Sequence, residues 1–195
     1  MDLYNDDCLN IMKDLSDNIA QVFFCDLPYG QTMCKWDTPI DLSAFWNEAL
    51  RIGKENCVYC FTATMKFGHT LISSNPKMFR YEMVWIKNHN TNPLCSTFRH
   101  MPKHELVLVF YKKKPKWNKD KYHKRIVPKE NYTRNPNIDN CLGHFMKIGK
   151  NPTSPHFEPR LPDTLLTANK YRRLGKTIHP TRKPVDLIVN LLKYW

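Results

Sequence analysis

The stretch that most constrains this chain is Val22-Phe23-Phe24-Cys25-Asp26-Leu27-Pro28-Tyr29-Gly30. Four apolar residues end in a carboxylate, followed by a leucine, a turn-forming proline, an aromatic and a glycine. The apolar run is too short for a helix and is closed by breakers, which predicts a buried strand. In an open α/β sheet, ligands bind in the crevice beyond the carboxyl ends of the strands. Asp26 and Tyr29 are then a hydrogen-bond acceptor beside a flat apolar ring at that crevice. Taken alone, the same residues also describe an Asp capping a turn after a strand.

Composition narrows the classes. A chain of 195 residues with 42% hydrophobic content suits one domain with a sizeable core. No apolar run reaches the length of a membrane span, and the acidic start MDLYNDD does not resemble a signal peptide. The formal net charge of +12 points to a polyanionic partner, nucleic acid first, although charge alone supports only non-specific association. Seven scattered cysteines argue for a reducing, intracellular and cytoplasmic setting over a disulfide framework. Cys57 and Cys60 form a CxxC without a second pair. In a strand their thiols fall on opposite faces, which favours core cysteines over zinc.

In chain order, Leu3-Tyr4 is predicted to open a short strand. Asp6 or Asp7 then caps a helix over residues 9–15, with Leu9, Met12 and Leu15 on one face. A strand over Ala20 to Cys25 leads into the DLPYG turn. A helix over Leu42 to Ile52 carries the stripe Leu42, Phe45, Ala49 and Ile52. Strands are expected at 57–62, 81–86 and 105–111, with a helix at 66–73. The alternation of strands with helices predicts a parallel, doubly wound sheet.

From Lys112 to Arg134 the chain turns strongly basic, with Trp117, Tyr122 and Tyr132 interleaved and no periodicity. That texture suits a basic insert that tracks phosphates and offers stacking faces to bases; a solvated surface loop has the same composition. The last element is His179-Pro180-Thr181-Arg182-Lys183-Pro184, leading into a helix with Leu187, Ile188, Leu191 and Leu192 on one face and Pro184 in its first turn.

DLPYG resembles the D-P-P-Y motif of the amino-methyltransferases, and HPTRKPVDL is similar to the H-P-T-x-K-P segment of their permuted, beta-type branch. The order of the two motifs, with a basic insert between them, agrees with that family. Lys35-Trp36-Asp37, the segment YEMVWIK at 81–87, His104-Glu105 and Asp7-Cys8-Leu9 add further likeness, so that it covers nearly the whole chain. The resemblance implies a Rossmann-like α/β sheet that uses S-adenosylmethionine to methylate the exocyclic amino group of a base in double-stranded DNA.

Several roles are implied by the same resemblance. The Asp26 carboxylate and Leu27 carbonyl accept the two N–H bonds of the target amino group, Pro28 shapes the turn, and Tyr29 stacks on the flipped base. Asp7, His179, Thr181 and Lys183 match positions on the cofactor side. Lys112, Lys113, Lys114, Lys116, Trp117, Lys121 and Arg125 would meet DNA. No Pro-Cys pair occurs, which removes a C5-cytosine mechanism.

One feature of the family is missing: no two of the six glycines are spaced G-x-G. The expected reading is a chain truncated before the glycine-rich cofactor loop, its sheet incomplete, with a second polypeptide carrying that loop as a possible partner. Residues 1–111 are assigned to a catalytic α/β region, 112–175 to a target-recognition insert, and 176–195 to a segment completing the cofactor side. The expected activity is adenine-N6 methylation. Cytosine-N4 methylation, an RNA substrate and an inactive DNA-binding remnant are the alternatives.

Overall fold

The computed structural model describes residues 2–91, 93–127, 156–168 and 182–195. His179, Thr181 and Tyr132 lie outside the described residues. Two compact units form, Met1–Trp117 with Asp163–Trp195, and Asn118–Pro162. The sheet strand Leu165–Thr167, in the stretch assigned above to the insert, belongs to the first unit. No described helix is long and apolar enough to cross a membrane.

The first unit carries α1 (Cys8–Asp14), β1 (Ala20–Cys25), α2 (Leu42–Ile52), β2 (Gly53–Ala63), α3 (Met65–Ser74), β3 (Phe79–Ile86) and β4 (His104–Phe110). In the second lie β5 (Lys124–Ile126) and β6 (His156–Glu158), paired antiparallel. The chain returns to the first unit for β7 (Leu165–Thr167) and α4 (Val185–Leu192).

Caps set the helix starts. Asp7 accepts the Leu9 N–H at the head of α1, and Asp41 accepts those of Ser43 and Ala44 at the head of α2. Pro184 is the residue before α4 rather than within its first turn, because its extended ψ of 135° lies outside the helix. Arg51 closes the other end of α1, donating to the Met12 and Leu15 carbonyls while paired with Glu48 and Asp17. The Met12 carbonyl also accepts the Leu15 N–H, and the guanidinium adds donors at a helix end whose last carbonyls lack a full set of intrahelical partners.

The sheet order is β1-β2-β4-β3-β7. It is a mixed sheet, which corrects the all-parallel expectation: β4 runs antiparallel to both neighbours, while β1 with β2 and β3 with β7 are parallel. A parallel return needs a crossover, usually a helix. Between β3 and β4 the described chain holds only the short 3₁₀ turn Pro93–Thr97, so the strand comes back antiparallel. The apolar run of β4 reports a central position and carries no information on direction.

β2 and β4 are buried on both faces. Cys57, Tyr59, Phe61, Leu108 and Phe110 face α1–α3, in a core with Phe45, Trp46 and Leu71. Val58, Cys60, Val107 and Val109 face Leu187 and Leu191 of α4. The CxxC thiols therefore belong to two different cores. Each large apolar side chain buried this way contributes roughly 1.5–3 kcal/mol. β1 is only half-buried, because among the described residues it pairs with β2 alone. The expected Leu3-Tyr4 strand does not form. Both residues are exposed, and two residues without a ladder partner have nothing to hold them extended.

Candidate active site

The sheet brings four chain segments to one place. Cys25 of β1 pairs with Phe61 of β2, which sets Asp26 beside Thr62; Ala63 pairs with Leu106, and Trp85 of β3 with Glu105 of β4. The carboxyl ends of β1, β2 and β3 thus meet the start of antiparallel β4. A cleft of about 550 Å³ opens there, lined by Asp26, Leu27, Pro28, Tyr29, Glu105 and Lys183 among others.

Asp37 fixes the turn that forms one wall. Its Oδ1 accepts the N–H groups of Tyr29 (2.7 Å) and Gly30 (2.9 Å), and its Oδ2 those of Gln31 (2.9 Å) and Thr32 (2.7 Å). Four consecutive amides thus end on one buried carboxylate. Burial pushes this carboxyl up, but hydrogen bonds from Thr32, Gly30 and Gln31 outweigh burial and bring it down to about 2. Gly30 makes the curl possible: its φ is +64°, and a Cβ there would lie 2.4 Å from Pro39 Cγ. Tyr29 is stacked on Phe67 of α3, with centroids 5.0 Å apart and an angle of 23°. Burial, together with the nearby Glu105 and Asp26 charges, pushes its phenol up, so the ring stays neutral.

Asp26 is the convergence point. Its Oδ1 accepts hydrogen bonds from the hydroxyls of Thr62 and Tyr29. The Lys183 ammonium donates to Oδ1 at 2.7 Å and Oδ2 at 2.9 Å. That ammonium also lies 3.5 Å from Glu105 Oε2 and 5.6 Å from the centre of the Tyr29 ring. Glu105 Oε1 pairs with Lys87, which is 4% exposed and sits 5.5 Å from the Trp85 ring centroid. Oε2 of Glu105 is buried and accepts no hydrogen bond among the described residues. Asp26 offers an acceptor to an incoming N–H group, which must share it with the hydroxyl and ammonium donors already in place.

The structure therefore groups Asp26, Leu27, Pro28, Tyr29 and Lys183 in one cleft. Asp7 stands at the exposed head of α1 with its Oδ1 engaged by the Leu9 N–H. Lys112, Lys114 and Lys116 are exposed, and Lys113 pairs with Glu55. Trp117 stacks on Tyr194 (4.7 Å, 16°) and meets Trp195 edge-on. Lys121 lies over Tyr122, and Arg125 is exposed on β5. Sequence reasoning gave no role to Thr62, Lys87 or Glu105, and quoted Asp37 only as part of KWD. A carboxylate a few residues after a Gly turn, within reach of its amides, was the available signal for Asp37.

Comparison with known proteins bears on the fold and the family. The DNA methylase family model covering N6 and N4 enzymes matches residues 20–195. M1.HpyAVI in complex with SAM superposes with a TM-score of 0.54 at 16% identity, covering 98% of this chain and 75% of that one. The PvuII DNA methyltransferase, described as cytosine-N4-specific, gives a TM-score of 0.61 at 13% identity, covering 98% of this chain and 68% of that one. At such identities the likeness is one of fold. No curated protein matches the chain. With a family match spanning all but the first 19 residues and a sheet that superposes on two DNA methyltransferases, the chain belongs to the N6/N4 DNA methylase family.

Proposed function

We propose that this chain methylates adenine N6 in double-stranded DNA, with Asp26 as the acceptor for the target amino group. The observation that carries this reading is the Asp26 carboxylate at the end of β1, already ringed by N–H and O–H donors and set against the Tyr29 ring. An exocyclic amino group has its lone pair delocalised into the ring. Two hydrogen bonds, to Asp26 and to the Leu27 carbonyl, localise that pair on nitrogen and aim it for in-line attack. Tyr29 is neutral and braced by Phe67, and an extruded base stacking on it would share the ring with the Lys183 ammonium, 5.6 Å from the ring centre.

S-adenosylmethionine supplies the electrophilic methyl group in this reaction. The described lining balances Asp26, Asp37 and Glu105 against Lys87, Arg182 and Lys183, and the Tyr29 ring is the part of it suited to a sulfonium. Asp7, His179 and Thr181 are proposed for the cofactor side. Lys183, bonded to both Asp26 oxygens, works instead at the acceptor. Lys112, Lys113, Lys114, Lys116, Lys121 and Arg125 are proposed to meet phosphates, and Trp117 to contribute an aromatic surface.

The test is incubation of the chain with duplex DNA and isotope-labelled S-adenosylmethionine, followed by nucleoside mass spectrometry. Labelled N6-methyladenine is the expected product. Labelled N4-methylcytosine would move the target to the other amino base. DNA binding without any labelled product would favour the inactive remnant.

A further inference from the structure

The Lys183 ammonium occupies both oxygens of the carboxylate that, in the reading above, must receive the target amino group. An incoming N–H group must compete with that ammonium, at Oδ1 beside two hydroxyl donors and at Oδ2 with Lys183 alone. A second carboxylate stands ready for it. Glu105 Oε2 is 3.5 Å from Lys183 Nζ, buried, and accepts no hydrogen bond among the described residues, while its twin Oε1 is held by Lys87. That buried oxygen is within ion-pair distance of the ammonium but short of a hydrogen bond, so closing the gap satisfies it. Lys183 is itself 9% exposed, which makes Glu105 a nearer alternative than water. A displacement of less than about 1 Å would bring Nζ within hydrogen-bond distance of Oε2. The Tyr29 ring lies under the same ammonium, 5.6 Å from its centroid.

We propose that Lys183 is a positioning residue that passes its ammonium from Asp26 to Glu105 when the target amino group arrives on Asp26. The inference rests on Asp26 being the amino acceptor. Its chemical consequence is selectivity for amino-bearing bases. An amino group replaces the donor that Asp26 gives up, and the exchange leaves every carboxylate oxygen paired. A base presenting a carbonyl at that point offers no donor, so Asp26 keeps its ammonium and the base is turned away.

Two measurements decide it. The first needs neither DNA nor cofactor: a crystal structure of Asp26→Asn. Lys183 Nζ is expected within about 3 Å of Glu105 Oε2. An ammonium that stays at position 26 or turns to solvent overturns the handover. The second is a double-mutant cycle read by single-turnover methylation. Glu105→Gln should slow methyl transfer about tenfold, inside the range for coupled neighbours, because the ammonium then remains on Asp26. Adding Lys183→Gln should restore that loss, since no ammonium is left to compete. Any effect of Glu105→Gln on Lys87 is common to both backgrounds and cancels. An equal loss with and without Lys183 overturns the proposal. A wild-type chain that yields no methylated nucleoside fails on the amino-acceptor reading instead, and the base-triggered step falls with it; the ligand-free structure still reports whether the ammonium can transfer.

Discussion

The turn after β1 and the basic stretch beginning at Lys112 solve different problems in different ways. In the turn, one carboxylate gathers four consecutive amides, a glycine takes a positive φ, and an aromatic ring is braced from behind. In the basic stretch Lys112, Lys113, Lys114 and Lys116 are exposed, and the lysine contacts are single pairs: Lys113 with Glu55, Lys119 with Asp120, Lys121 over Tyr122. An over-determined turn suits the proposed placing of a reacting nitrogen to within a fraction of an ångström. The proposed phosphate attraction would need only sign and nearness, and the lysines carry no such clasps.

The largest break in this contrast is Asp26→Ala. It should slow methyl transfer by roughly a hundredfold or more, as loss of one preorganised polar group does. Duplex affinity should stay close to wild type in a gel-shift titration, because binding is carried elsewhere.

Asp37→Ala attacks the scaffold of the turn instead. Orphaning buried N–H groups costs about 1–3 kcal/mol each, partly relieved by water, so a loss of at least about 2 kcal/mol is expected in urea unfolding. The pH dependence has a definite sign. The folded carboxyl titrates at about 2, below its unfolded value near 3.9, so its stabilisation is present in full above about pH 4. It is lost as pH falls through about 2. The Asp37→Ala chain should therefore lack the part of the acid-induced decline in stability that the parent shows between pH 4 and 2.

Tyr29→Ala should weaken base engagement by about 1–3 kcal/mol, read with a fluorescent adenine analogue at the target position, and Tyr29→Phe by little. Equal analogue signals for wild type and Tyr29→Ala would remove the stacking role.

The smallest effects belong to the basic stretch. Neutralising Lys112, Lys114 and Lys116 singly should weaken binding to all duplexes alike. Each lysine withdrawn from a phosphate makes the log–log salt slope shallower by about 0.9. An unchanged slope would show that these lysines are only a solvated surface.

The same contrast explains what could be read from sequence. β1 and α2 have the residue limits that their apolar patterns predict, because breakers and an Asp cap mark their ends locally. The reversal of β4 has no local mark: an apolar run buried on both faces looks the same in either direction. That Asp26 and Tyr29 share one turn after β1 was legible, because both lie in one short motif. That Thr62 and Glu105 join them was not, since strand register brings those two there, and Lys183, assigned from sequence to the cofactor side, meets Asp26 from 157 positions away. A parallel and an antiparallel pairing must be known before those side chains can be placed together.

The direct passage from Ile52 of α2 into Gly53 of β2, and from β2 through Thr64 alone into α3, has a consequence in time. A strand buried on both faces and clamped by helices with almost no slack belongs to the last part of a protein to open. Its amides are expected to exchange with solvent deuterium only through near-global unfolding. α4, with eight residues, opens more cheaply, and Lys183 sits just ahead of it. Asp26 is thus tied through Thr62 to the slowest clock in the molecule, and through Lys183 to a faster one. Partial openings that release the ammonium leave the carboxylate aimed where it was.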